Sequence, residues 1–215
     1  MSTPRWTGLP VVERAAERRA LLVDAAFDLL GREGDAATTV RAVCQQARLN
    51  PRYFYESFAD RDELLVAVYD HQVLLLGTEL LEQIQKAGGD PEAVSRAGVE
   101  TVCRWVAADP RRAKVLYSEA LGNEALARRR MESMRSVSDF IGTWALQHHG
   151  PPPAGERIGA IATSIIVGGM SELLTAWLDG RIDVGLDQLI DDAVALFLAL
   201  GRSAEQIAAA RSLPS

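Results

Sequence analysis

The chain has 215 residues, 48% of them apolar and 24% charged, which suffices for one or two compact domains and excludes a disordered tail. A formal charge of −6 argues against a surface that binds polyanions everywhere, yet the charge is uneven: residues 1–65 hold 9 Lys/Arg against 10 Asp/Glu, residues 66–215 hold 14 against 19. The only cysteines, Cys44 and Cys103, lie far apart with no CxxC or Cys/His spacing, which excludes a disulfide framework and a zinc site.

Residues 1–12, with Pro4, Gly8 and Pro10, read as a loose arm, and the opening MSTPRWTGLP lacks the apolar stretch of a signal peptide. Leu22, Ala25, Ala26, Leu29 and Leu30 then repeat at helical spacing up to a stop near Gly34. A short helix, TTVRAVCQQA, follows with Thr38 or Thr39 as its cap; a second, PRYFYESF, starts from Asn50 with Pro51 in the first turn. Asp60 and Glu63 form a D-x-x-E capping box that opens a long apolar helix ending at KAGGD. Asp90-Pro91 and Asp109-Pro110 start two further helices. Long helices cover about 123–148 and 155–179, and the last begins near Leu186. The expectation is an all-α fold of about nine helices, with no strand and no apolar run of transmembrane length. A reducing cytoplasm is the expected compartment.

The two short helices, joined by a three-residue turn and packed on a longer one, form a helix-turn-helix pattern. At 100° per residue, Phe54 and Phe58 share a face and point to a small core with Phe27, Leu30, Val43 and Leu64. Arg52, Tyr53 and Glu56 then project from the opposite face, with Tyr55 on a flank. Outward aromatics beside a guanidinium suit a surface that reads a DNA groove, since Arg bonds guanine edges and Tyr reaches phosphate or a thymine methyl. Between residues 38 and 61, Arg41, Arg48, Arg52 and Arg61 face only Glu56 and Asp60.

From about Arg19 to Tyr69 the sequence resembles the tetracycline-repressor (TetR) family of bacterial transcription regulators. The resemblance rests on AAFDLLGREG, TTVRAVCQQA, LNPRYFYESF and ADRDELLVAV, with Thr39, Arg41, Tyr55, Phe58 and Arg61-Asp62-Glu63-Leu64 in the family's places. It implies a helix-turn-helix DNA-binding domain over 13–59 and a helical ligand-binding and dimerisation domain over 60–215. It implies contacts to double-stranded operator DNA from Thr39, Arg41, Asn50, Arg52, Tyr53, Tyr55 and Arg61, with Arg41 and Arg52 reading bases and Tyr55 and Arg61 holding phosphates. It also implies a homodimer through the last two long helices and release from DNA by a small hydrophobic effector. Family members usually have Gly where Arg48 stands. A left-handed arginine there costs about 1 kcal/mol, and a wider turn would displace Asn50 and Pro51. Glu56 can accept from a cytosine amino group or orient Arg52 one turn earlier.

His71, Trp105, Tyr117, Phe140, Trp144 and Met170 are candidate effector contacts, together with Met131 and Met134; each has a plain core reading beside it. On the last helix, Leu186, Leu189, Ile190, Ala193, Val194 and Phe197 form an apolar face expected to meet a second subunit, with Ile158, Ile161, Ala162 and Ile165 before it. Cys44 and Cys103 read as buried, inert thiols. His148-His149 reads as a helix-end charge interaction rather than a metal site, since adjacent helical residues diverge by about 100°. Gly168-Gly169 has no phosphate-loop context and reads as a close-approach point between helices, or one beside a ligand. No GxSxG, HExxH or paired catalytic carboxylates can be assembled, so neither an enzyme, a cofactor nor a metal is expected. The competing reading is a helical adaptor that binds protein and takes no effector. It leaves Arg52, Tyr53 and Tyr55 without a task.

Overall fold

A computed structural model describes residues 11–149 and 156–211, with side-chain detail over 12–120, 122–144 and 157–211. Nine helices and no strand are found among the described residues. They are α1 (Val11–Glu33), α2 (Val40–Ala47), α3 (Pro51–Ser57), α4 (Arg61–Ala87), α5 (Pro91–Ala108), α6 (110–122), α7 (Glu124–His149), α8 (Glu156–Leu178) and α9 (Leu186–Arg211). The interior of α6, Lys114–Glu119, is π-helical, which the sequence did not signal.

The helix starts follow the capping chemistry. Thr39, not Thr38, caps α2 by accepting from Ala42 N at 3.2 Å, while Thr38 is buried and donates to Gly34 O at 2.8 Å. Asn50 Oδ1 accepts from Arg52 N at 2.9 Å, and Asp90 from Ala93 N at 2.8 Å. At the start of α4, Asp60 accepts from Glu63 N at 2.8 Å, but the Glu63 carboxylate reaches Ala59 N at 2.6 Å instead of the residue that opens the box.

The chain divides into two compact units: one runs through Gln72 and takes in Lys114–Arg129, the other comprises Val73–Ala113 and residues from Arg130 onward. In the first unit α1 packs on α2, α3, the 3₁₀ turn Asp35–Ala37 and the π-helical stretch of α6. Its core is Leu22, Ala26, Leu30, Val43, Phe54, Phe58, Leu64, Leu65 and Val68, all at most 2% exposed; Phe27 is only half-buried.

In the second unit α9 lies against α5 and α8. Leu189, Ile190, Ala193 and Val194 are buried there with Val99, Cys103, Val106 and Leu174. This corrects the expectation that their face of α9 meets a second subunit: α5 and α8 of the same chain already cover it. Ion pairs line the α5–α9 edge, Arg96 with Asp191 at 2.7 Å and Arg104 with Asp187 at 2.9 Å. Among the large apolar residues left exposed in this unit are Ile161, Ile165 and Leu178 on α8 and Leu196 and Ile207 on α9. Gly168 and Gly169 have open space where a Cβ would stand.

One composition estimate is also corrected. Arg61–Ala87, Arg157–Leu178 and Leu186–Arg211 are long and apolar enough to cross a membrane by length and composition. The sequence expectation missed them because isolated charges such as Asp70, Glu172 and Arg202 interrupt each apolar run. Length and composition by themselves give these helices no membrane location.

Candidate nucleic-acid interface

The reading head is built from α1 upward. Phe54 and Phe58, i and i+4, sit with ring centroids 5.7 Å apart and anchor α3 to the core. With those two rings inward, the opposite face of a seven-residue helix has to face out. Arg52 is 81% exposed at its side chain and pairs with Glu56 at 2.9 Å. Of the two sequence readings for Glu56, the geometry shows the orienting one. Tyr55 is 65% exposed and stands edge-on to Phe54, centroids 5.2 Å apart at 79°. Such a contact fixes the ring while leaving its hydroxyl outward.

Tyr53 departs from the outward projection expected of it. It is half-buried, with the Arg18 guanidinium of α1 at 4.5 Å over its ring, and Arg18 also approaches Glu56 at 3.6 Å. Arg18 therefore steadies both Tyr53 and the Arg52–Glu56 pair. Sequence reasoning missed Arg18 because 35 positions separate it from Tyr53 and no local pattern links them.

On α2, Thr39 and Arg41 are exposed at the helix start, and among the described residues Arg41 has no hydrogen-bond or ion-pair partner. The turn into α3 keeps its tight form. Arg48 takes φ 54, ψ 40, the left-handed geometry usually given to Gly, and its N–H bonds Cys44 O and Gln45 O. Asn50 and Pro51 therefore hold their capping and first-turn positions, with Asn50 exposed.

Arg61 is engaged inside the domain. Its Nε donates to Thr38 O at 2.8 Å and its Nη2 to Asp35 O at 2.6 Å and to the Asp35 carboxylate, while Nη1 has no partner among the described residues. The same 3₁₀ turn is held from α6, where Glu119 accepts from Asp35 N at 2.9 Å and its carboxylate lies 3.3 Å from where a Gly34 Cβ would stand. Gly34, at φ +88, is a position where a side chain would meet both strain and crowding. Asn123 completes the cluster, 3.4 Å from both Asp35 and Asp62. Neither Asp35 nor Glu119 was singled out from sequence, since 84 residues separate them.

The candidate effector residues fall in both units. His71 and Tyr117 are half-buried in the first. In the second, Trp105 is buried with the Arg112 guanidinium 4.4 Å over its ring. Phe140 is exposed, and Trp144 and Met170 are half-buried. A shallow, open depression of about 430 Å³ on α8 is lined by Arg157, Ala160, Ile161, Ser164 and Ile165. Cys44 and Cys103 are buried, and burial raises both thiol pKa values, Cys103 to about 11. Both are therefore protonated and unreactive near neutrality. The side chains of His148 and His149 lie outside the described residues.

This arrangement matches known proteins at two levels. The sequence profile described as bacterial regulatory proteins, tetR family, matches residues 22–68, the stretch that forms the head. Over most of the chain, solved structures share the fold. The fatty acid degradation regulator FadR from Bacillus halodurans superposes with a TM-score of 0.70 at 18% identity, covering 84% of this chain and 94% of that one. The transcriptional regulator FadR from Bacillus subtilis, in complex with stearoyl-CoA, gives 0.71 at 16%, covering 83% and 96%. The multidrug binding protein EbrR, complexed with imidazole, gives 0.64 at 19%, covering 85% and 94%.

Proposed function

We propose, from the match of residues 22–68 to the profile of tetR-family bacterial regulatory proteins, that the chain is a regulator of that kind, a cytoplasmic repressor released from its operator by a small lipophilic effector. The observation that carries this reading is the outward face of α3, where Arg52 and Tyr55 stand exposed over a Phe54–Phe58 anchor. In the proposed complex α3 enters the major groove, Arg52 and Arg41 bond base edges, and Tyr55 and the free Nη1 edge of Arg61 hold phosphates. Thr39 and Asn50, both caps, place their helix N-termini toward the backbone. Tyr53, half-buried beneath the Arg18 guanidinium, completes the set.

Two copies are needed to engage half-sites about 34–36 Å apart. The uncovered residues Ile161, Ile165, Leu196 and Ile207 support a homodimer through α8 and α9; Ile161 and Ile165 belong to the face expected on α8, whereas on α9 Leu196 and Ile207 replace the expected Leu189–Val194 face. The ligands named for the structural neighbours, stearoyl-CoA and imidazole, support an organic effector, and Phe140, Trp144 and Met170 supply apolar contact for it. The effector has to prefer the conformer that does not fit DNA, since equal affinity for both conformers shifts nothing. The test is a thermal-shift screen of lipophilic compounds followed by operator binding with each hit. Hits should raise the melting temperature and weaken operator binding. Stabilising hits across a broad library that leave operator affinity unchanged contradict the reading.

A further inference from the structure

Three consecutive arginines open the second turn of α7, and they are satisfied differently. Arg128 pairs with Glu124 at 3.1 Å and Arg129 with Asp70. Arg130 has no carboxylate partner among the described residues; it bonds only the Ser171 hydroxyl of α8, Nη2 to Oγ at 2.7 Å. Its Nε–H is fully buried and makes no hydrogen bond, and Ser171 is itself 7% exposed. A guanidinium keeps its charge in proteins; Arg130 as a whole is half-buried, but its Nε donor is withdrawn from water, and an idle buried donor is costly unless an acceptor completes it. The idle Nε–H and the remaining Nη2 proton lie on one edge, the fork that takes two oxygens of a carboxylate or phosphate. Ser171 holds that edge in place.

The surroundings are apolar. Met134, Val137, Ile141 and Trp144 follow Arg130 at 4, 7, 11 and 14 residues, which is one stripe of α7. Met134, Ile141 and Trp144 are half-buried, Val137 is 42% exposed, and Met170 adjoins Ser171 on α8. We propose that Arg130, steadied by Ser171, receives the oxyanion head of an amphiphilic effector, a carboxylate or a phosphate, whose apolar chain lies along this stripe. The inference rests on the lipophilic-effector reading above and adds that the effector is an anion.

The test compares sodium decanoate, decyl phosphate and 1-decanol, three probes with one chain and different heads, by tryptophan fluorescence and thermal shift on the full chain. At least one anion should bind about 10- to 100-fold more tightly than the alcohol, the range of a charge-assisted hydrogen bond; which anion does so identifies the head. Arg130→Gln should abolish that preference while leaving 1-decanol affinity and unliganded operator binding unchanged. Arg130→Lys should keep part of it. Should Arg130→Gln lose its fold, Arg130→Lys and Ser171→Ala decide: both should narrow the preference, and full retention in both overturns the proposal. Equal affinity for all three probes, or an anion preference that survives Arg130→Gln, also overturns it. If 1-decanol binds and releases operator as well as the anions do, the head-group inference falls and the lipophilic reading stands. If none of the three binds, both fall.

Discussion

Removing the Arg61 side chain separates a structural clamp from a DNA contact. The guanidinium reaches back across more than twenty residues to the turn between α1 and α2, bonding Thr38 O, Asp35 O and the Asp35 carboxylate. Its side chain is 30% exposed and that of Asp35 32%, so water competes with the ion pair, which contributes at most about 1 kcal/mol. The bonds to two backbone carbonyls weigh more, since a charged donor to a neutral acceptor is worth about 1.5–3 kcal/mol when shielded. Discounted for exposure, Arg61→Ala should cost about 2 kcal/mol in all, or roughly 4–8 °C in melting temperature for a chain of this size. Arg61→Lys keeps the charge but cannot span three acceptors, so it should lose most of the same amount. The free Nη1 edge adds a second readout: if it holds a phosphate, Arg61→Ala also lowers the salt dependence of DNA binding by about 0.9 in log–log slope. Circular-dichroism melts and salt titrations measure the two separately. A melting temperature unchanged within a degree refutes the clamp.

Arg48→Gly should stabilise the head. It relieves about 1 kcal/mol of left-handed strain against roughly 0.4–1 kcal/mol of added unfolded-chain entropy, a net gain of at most about 0.6 kcal/mol and a rise of up to about 2 °C in a thermal melt. The thiols should resist Ellman's reagent at pH 8 in the folded protein and react when it is denatured. Because burial raises the Cys103 pKa from 9.0 to about 11, the unfolded chain loses that proton first, so stability falls as pH rises from about 9 toward 11 and is unaffected below that window. Ile165→Glu and Leu196→Glu should give folded monomers by sedimentation, whereas Val194→Glu, at a position 2% exposed, should abolish folding. A dimer that survives both surface charges refutes the proposed seam.

The head was legible in the sequence because its determinants are local. Caps at Thr39, Asn50 and Asp60, Pro51 in a first turn, and two phenylalanines one helical turn apart all act within a few residues. What the sequence hid is long-range. Arg18 over Tyr53, Glu119 and Arg61 on the 3₁₀ turn, and Arg130 with Ser171 each join residues 23 to 84 positions apart. Periodicity finds an apolar face but not its partner, which is why the Leu189–Val194 face of α9 was assigned to a second subunit when α5 occupies it. The π-helical turn in KVLYSE has no compositional mark. Arg48 shows the converse, since the strain was foreseen and the chain tolerates it.

Operator binding by the intact chain and by Arg52→Ala bears most directly on the DNA-reading surface. Fluorescence anisotropy against a DNA fragment flanking the protein's own coding sequence, repeated over a range of salt, should show tight, salt-dependent and sequence-specific binding by the native chain. Arg52→Ala should cost about 1–3 kcal/mol on that fragment and relax preference at one base pair, leaving non-specific affinity little changed. Native affinity for the flanking fragment no greater than for random DNA, or an Arg52→Ala variant that binds and discriminates like the native chain, contradicts the account.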